Sequence, residues 1–130
     1  MGILTVAYLA FNALLYAAFA VWCAVAPHQT SAFLGLTRAN PAGESEYLAV
    51  YGGLQAGLAV FYLLALVQPE HRRAALLFSL AIYGGIVLLR TIAGFRLGFA
   101  ELGNARFAYG LEICLLLGAL ALVLRPYGVR

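Results

Sequence analysis

Charged side chains are scarce in this sequence, and lysine is missing altogether. Only 10% of the 130 residues are charged, and all eight basic side chains are arginine. A water-soluble domain of this length needs far more charge, because roughly a quarter of the residues in an ordinary soluble protein are charged. The formal net charge of +3 is too small and too dispersed for a nucleic-acid-binding surface. The composition therefore excludes an ordinary soluble domain, and no nucleic-acid partner is expected.

Cysteine and histidine are nearly as rare. Cys23 and Cys114 both lie in apolar segments, and neither belongs to a CxxC motif or a Cys/His cluster. His28 and His71 fall in connecting segments. No phosphate-binding loop or pair of nucleophile and base is visible in the sequence. We therefore expect no metal, no cofactor and no catalytic residues.

Four long apolar runs explain the mean hydropathy of +0.94. They are residues 3–26, 46–67, 73–95 and 106–125. A membrane-spanning helix needs about 20 residues, and none of the runs alternates as a barrel strand does. The third run is long enough to span a membrane only if Arg90 is counted within it. The pattern predicts an all-α fold, an integral membrane bundle of four transmembrane helices that forms a single domain over residues 1–130.

The connections between the runs predict the orientation in the membrane. Four spans place both termini on one side, together with Arg72, Arg73, Arg125 and Arg130. The other side holds Arg38, Arg96 and Arg106. This small excess of arginine favours cytoplasmic termini. The phenylalanines of the connection 94–105 suggest a segment that lies along the membrane surface.

Polar side chains recur at helical spacing along each run. They are Tyr8, Asn12 and Tyr16 in the first, Tyr51, Gln55 and Tyr62 in the second, Ser79, Tyr83 and Arg90 in the third, and Tyr109 and Glu112 in the fourth. Residues three or four apart share one face of a helix. We therefore expect these faces to turn toward the interior of the bundle, where polar groups find partners.

Three charges are predicted at one level of one leaflet. Glu112 lies inside the fourth apolar run, where an isolated carboxylate is costly. Arg90 near the end of the third run should reach the same depth, since a helix rises 1.5 Å per residue. Glu46 opens the second run on the same side. A guanidinium can serve two carboxylates, so we predict that Arg90 pairs with Glu112 and takes Glu46 as a second partner.

Glycines in the second run predict a helix contact. Gly53 and Gly57 form a GxxxG motif, and Glu46 lies seven residues before Gly53. Small residues at this spacing let another helix approach closely. We expect the motif to close the internal bundle. Gly118, in the fourth run, is expected to face lipid.

Three segments resemble a bacterial family of four-helix membrane proteins catalogued as domain-of-unknown-function family 4345: SEYLAVYGGLQAGLAVF (45–61), YGGIVLLR (83–90) and LEICLLLGAL (111–120). The family has a glutamate five residues before Tyr-Gly-Gly-Leu, an arginine ending the third helix and a glutamate early in the fourth. Glu46, Arg90 and Glu112 match these positions. The connection 94–105 departs, since the family has an Asp-Gly turn there. The resemblance implies the four-helix fold, a bacterial inner (cytoplasmic) membrane and the charged trio, but no activity.

Three classes of function stay open. We favour a non-catalytic protein that binds a membrane lipid or small amphipathic ligand, or an accessory subunit of a larger membrane complex. The candidate ligand-binding or ion-pairing residues are Glu46, Tyr51, Gln55, Tyr83, Arg90, Tyr109 and Glu112.

The alternatives make different demands on the glutamates. A small proton-coupled transporter would act as a homo-oligomer, specifically a homodimer, but Arg90 would occupy the Glu112 carboxylate that such a protein leaves free to exchange protons. An intramembrane isomerase would use Glu46 and Glu112 as acid and base. The charged trio can also be a structural ion pair that fixes helix register.

Overall fold

Four helical spans in the computed structural model are long and apolar enough to cross a membrane. The structure describes residues 2–125, and among these there is no strand. The helices are α1 Ile3–Val25, α2 Pro27–Phe33, α3 Pro41–Tyr47, α4 Gln55–Val67, α5 Arg72–Leu97 and α6 Ala105–Val123. Short 3₁₀ helices cover Pro69–His71 and Phe99–Leu102, and a π-helical segment covers Leu48–Leu54. The predicted all-α four-helix fold is confirmed, and its four apolar spans are consistent with a multi-pass membrane protein.

The second span is longer than its apolar run indicates. It begins at Pro41 and continues without a break through α3, the π-helical segment and α4 to Val67. The start is set by Asn40, whose side chain accepts a hydrogen bond from the Gly43 amide at 2.9 Å, and by Pro41 in the first turn. The long connection predicted for residues 27–45 also contains the short helix α2.

The π-helical segment LAVYGGL is the irregular part of this span. A π-helix closes i→i+5 hydrogen bonds, so each turn is wider than an α-helical turn. Gly52 is buried in this segment, whereas Gly53 is exposed. The wider turns change the direction in which residues after Leu48 project, compared with a regular α-helix.

The spans pack as two pairs, and the pairs are joined by α1 and by a smaller contact between α4 and α5. The second span packs chiefly against α1, whereas α5 and α6 pack chiefly against each other. α1 also contacts α5 and α6. The buried positions include many alanines, which allow close approach of the helices: Ala13, Ala20, Ala59, Ala65, Ala75 and Ala119.

The polar face of α1 lies inside, as predicted. Asn12 is completely buried, donates to the Tyr8 carbonyl at 2.8 Å and accepts a hydrogen bond from the Tyr83 hydroxyl. The Tyr8 hydroxyl donates to the Leu115 carbonyl at 2.9 Å. These bonds tie α1 to α5 and α6.

A second polar contact joins the second span to α5. The Tyr62 and Ser79 hydroxyls are 2.8 Å apart, and Ser79 also donates to the Ala75 carbonyl at 2.8 Å. Because the single Ser79 proton goes to Ala75, the Tyr62 hydroxyl donates to Ser79. The Tyr62 ring stacks on Tyr16 at a centroid distance of 5.7 Å.

At the opposite end from α2, Arg72 closes the second span. Its Nη2 donates to the Leu66 carbonyl at 3.0 Å and its Nε to the Ala65 carbonyl at 3.3 Å. The last carbonyls of a helix lack partners within the helix, so an arginine there satisfies them and complements the helix dipole.

The predicted roles of the glycines are reversed. Gly53 and Gly57 are exposed, and a Cβ at Gly57 would meet nothing within 4 Å. A Cβ at Gly118, by contrast, would lie 3.1 Å from Cε2 of the Tyr8 ring. The prediction that Gly53 and Gly57 close the bundle is wrong, and so is the lipid-facing assignment of Gly118. Spacing alone does not fix which face of a helix that is apolar all round turns inward.

We predict that Gly118→Leu destabilises the bundle and that Gly57→Leu does not. The leucine at position 118 would collide with a tyrosine ring whose hydroxyl is already hydrogen-bonded, which should cost about 1–3 kcal/mol. At position 57 the change should be neutral or should stabilise the helix by up to about 1 kcal/mol, the propensity that glycine lacks. Both substitutions gain the same helix propensity, so the difference in thermal stability in detergent reports the packing alone. Equal losses would contradict this packing.

Candidate functional site

Arg38 organises the connection between the first two spans. Its Nε donates to Ser31 Oγ at 3.1 Å, one terminal nitrogen forms an ion pair with the Glu44 carboxylate, and the other donates to Nδ1 of His28. The side chain is only 7% exposed. All three nitrogens of the guanidinium are therefore used within the protein, and little of it is left for a ligand.

Tyr47 lies beneath this arginine. The centre of its ring is 5.5 Å from Arg38 Cζ, a cation–π distance, and its ring stacks on Tyr51 at 4.9 Å. The Tyr47 hydroxyl donates to Thr30 and lies 3.5 Å from the sulfur of Cys23. These contacts fix α2, residues 34–40 and the start of the second span as one unit.

An open groove of about 340 Å³ lies beside this unit. Its lining includes the side chains of Leu36, Arg38, Glu46, Tyr47, Val50 and Tyr51. Glu46 is exposed, and none of residues 2–125 forms a hydrogen bond or ion pair with its carboxylate. The groove thus combines apolar and aromatic walls with one uncompensated carboxylate.

Arg90 and Glu112 meet between α5 and α6. Nε of Arg90 is 2.6 Å from one carboxylate oxygen of Glu112, and Nη2 donates to the other at 3.2 Å. Each residue lies seven positions from the end of its helix, or about 10 Å in depth at 1.5 Å per residue. The side chains are 32% and 14% exposed. Only the Nη2 contact is a hydrogen bond, because Nε of Arg90 and Oε2 of Glu112 are buried without a hydrogen-bond partner within residues 2–125. The pair therefore combines one hydrogen bond with one close ionic contact.

The chain after α5 folds back over this region. Thr91 donates to the Val87 carbonyl at 2.7 Å, so its contact of 2.8 Å with Tyr109 is a bond donated by the tyrosine. The Phe99 ring stacks on Tyr109 at 6.1 Å and covers Gly94, where a Cβ would lie 2.3 Å from the ring. A side chain at Gly94 would therefore displace the Phe99 ring from this position.

The structure separates the predicted charged trio. Arg90 and Glu112 come together, whereas Glu46 lies in the groove and takes no part in their pair. The second partner predicted for Arg90 is therefore wrong. Both polar regions lie at the same end of the bundle, where Asn104 donates to the Phe33 carbonyl at 3.1 Å.

The remaining predicted site residues lie in different parts of the protein. Tyr51 lines the groove, and Tyr109 lies beside the α5–α6 pair. Tyr83 is buried at the centre of the bundle, bonded to Asn12. Gln55 is half-buried, and no side-chain hydrogen bond to it occurs within the described part of the chain.

Sequence reasoning missed the network around Arg38. Asn40-Pro41, followed by Glu44, is the pattern of a helix start with an acidic first turn. Extending the second span to Pro41 would have brought Arg38 within reach of Glu44. Tyr47 follows the polar stripe of the second span by spacing but was not singled out as a site residue.

Comparison with known proteins identifies the family of this chain. The family model described as Domain of unknown function (DUF4345) matches residues 4–124, which include both polar regions. No curated protein and no solved structure matches the chain.

We predict that Arg90 and Glu112 stabilise the protein as a pair. Arg90→Leu or Glu112→Leu alone leaves one charge without its partner, and with the pair partly exposed each loss should be about 1–3 kcal/mol. The double substitution removes both charges and should recover at least about 1 kcal/mol of the summed losses. The measurement is a double-mutant cycle of thermal stability in detergent.

Arg96 supplies the matched control for this cycle. It lies in the last turn of the same helix and is exposed. Arg96→Leu and Glu112→Leu should therefore have additive effects. Additive losses for Arg90→Leu and Glu112→Leu as well would show that the two groups do not stabilise each other.

Proposed function

The chain belongs to the family described as Domain of unknown function (DUF4345), and from the geometry of its polar regions we propose that it is a non-catalytic membrane protein that binds a lipid-like amphipathic ligand. The groove beside Tyr47 is the proposed binding site. The observation that carries this proposal is the pairing, in one groove, of apolar walls with a carboxylate that has no partner among residues 2–125. An amphipathic molecule has the matching division into apolar and polar parts.

The position of the groove supports a ligand that comes from the bilayer. Val50 and Leu48 are exposed on the second span, and Leu36 is exposed on the connection before it. Apolar chains can therefore enter from the lipid side without crossing water. The polar end of the groove, at Glu46, lies close to the end of the span.

The groove is also held in a fixed shape. Arg38 and Tyr47 connect its walls through the contacts of α2 with the second span. A site whose walls are already ordered loses less conformational entropy when a ligand binds. Val50 and Tyr51 belong to the π-helical segment, and such segments occur frequently at functional sites.

The Arg90–Glu112 pair is better suited to a structural role than to ligand binding. One carboxylate oxygen of Glu112 accepts a hydrogen bond from Arg90, and the other lies in close ionic contact with the same guanidinium. A ligand at this position would have to break a partly buried ion pair first, which costs more than binding to an unpaired carboxylate. We propose that this pair fixes α5 against α6.

We predict that filling the groove reduces the lipid that remains bound to the purified protein. Val50→Trp places a large ring in the groove, whereas Leu54→Trp adds the same ring one turn further along the exposed surface of the span. Native mass spectrometry in a neutral detergent should show a loss of bound lipid for Val50→Trp only. Unchanged lipid binding by Val50→Trp, or the same loss for both variants, would contradict a site in the groove.

The orientation in a bacterial inner membrane is the second part of the proposal. The arginine distribution favours cytoplasmic termini, which puts the groove in the outer leaflet. Arg130, which contributes to this tally, lies outside the described residues.

We predict that a reporter fused after Arg130 is cytoplasmic and that one fused after Gly103 is periplasmic. A fluorescent protein that matures only in the cytoplasm should be bright in the first fusion and dark in the second. Alkaline phosphatase should show the reverse. Strong phosphatase activity after Arg130, or equal signals from both reporters at one site, would contradict a single orientation with cytoplasmic termini.

A further inference from the structure

The charges around the groove are not balanced. Arg38 and Glu44 neutralise each other in an ion pair, and the Arg38 side chain is 7% exposed. His28 accepts a hydrogen bond from Arg38 at Nδ1 and does not line the groove. Glu46 contributes a further carboxylate to the lining, and no cation among residues 2–125 pairs with it. The groove therefore carries one net negative charge.

From this imbalance we infer that the groove selects a membrane lipid whose headgroup carries an ammonium group. The ammonium group lies against the Glu46 carboxylate, and the acyl chains lie along Leu36 and Val50. This inference rests on the proposed function, since it names the class of ligand for the same groove. Opposite charges at a site next to apolar walls attract more strongly than they do in bulk water.

The aromatic wall is suited to the same headgroup. Tyr51 is partly exposed in the groove and stacks on Tyr47 at 4.9 Å. The face of an aromatic ring attracts a cation, including a quaternary ammonium group. Arg38 already lies over the Tyr47 ring, which shows that this part of the protein accepts a cation on an aromatic face.

The lipid phosphate contacts neutral hydrogen-bond donors rather than an arginine. Thr37 and Tyr51 line the groove, and each has a hydroxyl that can donate a hydrogen bond. The guanidinium of Arg38 is occupied by Ser31, Glu44 and His28. A lipid with a net negative headgroup therefore gains no strong cationic contact here and is repelled by Glu46.

A bare metal ion fits this site less well than an organic cation. Within residues 2–125 no group of three or more histidine, cysteine, aspartate or glutamate side chains could hold a metal ion. Calcium takes six to eight oxygen ligands, and magnesium requires a regular octahedron. One carboxylate beside apolar and aromatic walls is the chemistry that an ammonium group with an apolar body matches.

The test compares three phospholipids with identical acyl chains: phosphatidylethanolamine, phosphatidylcholine and phosphatidylglycerol. The first two carry an ammonium group, and the third carries a phosphate of the same kind but no cation. Native mass spectrometry of the full chain in neutral detergent measures the bound fraction of each. We expect the wild-type protein to prefer the two ammonium lipids about tenfold, which corresponds to one favourable charged contact.

Two substitutions at one position make the test independent of folding. Glu46→Gln should reduce the preference to less than about twofold, and Glu46→Lys should reverse it in favour of phosphatidylglycerol. Glu70→Gln is the matched control, since Glu70 is an exposed glutamate in the 3₁₀ helix Pro69–His71 and does not line the groove. It should leave the preference unchanged. A gain of phosphatidylglycerol binding by Glu46→Lys cannot come from unfolding.

The outcomes separate this inference from the proposed function. If Val50→Trp displaces bound lipid but Glu46→Gln and Glu46→Lys keep the wild-type preference, the groove binds lipid and the ammonium selection is wrong. A wild-type preference for phosphatidylglycerol would also overturn the selection and leave the groove in place. If Val50→Trp displaces no lipid, the groove is not the site and both proposals fail together.

Discussion

The lack of hydrogen-bonding partners in hydrocarbon is the constraint on which this structure depends. A polar side chain buried in a span therefore needs a partner inside the protein, and Asn12, Tyr62 and Ser79 follow this rule. Gln55 and Glu46, which are less buried, have no such partner within residues 2–125. Asn12 is completely buried and bonds to Tyr8 and Tyr83, and Tyr62 bonds to Ser79. The bond between Asn12 and Tyr83 and the bond between Tyr62 and Ser79 each fix the rotation of one helix relative to another. Apolar contacts with lipid tails would not distinguish one rotation from the next.

Much of the fold could be predicted from the sequence because length and composition alone identify a span. The inward turn of Asn12 and Tyr83 could also be predicted, since a polar group has few alternatives in a membrane. The roles of Gly57 and Gly118 could not, because glycine tolerates lipid and a close helix contact equally well. The π-helical turns at Leu48–Leu54 carry no pattern that distinguishes them from an α-helix.

The candidate site was only partly predictable, for a geometric reason. Counting residues along a helix gives the depth of a side chain in the membrane. This count correctly predicts that Arg90 and Glu112 lie at the same depth. Depth says nothing about lateral position. The second span packs chiefly against α1, while α5 and α6 pack chiefly against each other, so Glu46 shares a leaflet with Arg90 but not a site. The choice of neighbouring helices depends on the whole set of packed surfaces, which no single motif encodes.

Exposure and pairing explain why the two glutamates are suited to different roles. Glu112 lies about 10 Å inside its helix end, where an unpaired carboxylate is costly, and Arg90 pairs with it through one hydrogen bond and one close ionic contact. Glu46 lies five positions from the start of the second span, or about 7.5 Å in depth, but it is exposed and none of residues 2–125 forms an ion pair with it. A ligand can approach Glu46 by displacing water alone, whereas it would have to replace an arginine at Glu112. The carboxylate that the fold does not use is therefore the one that we propose for binding.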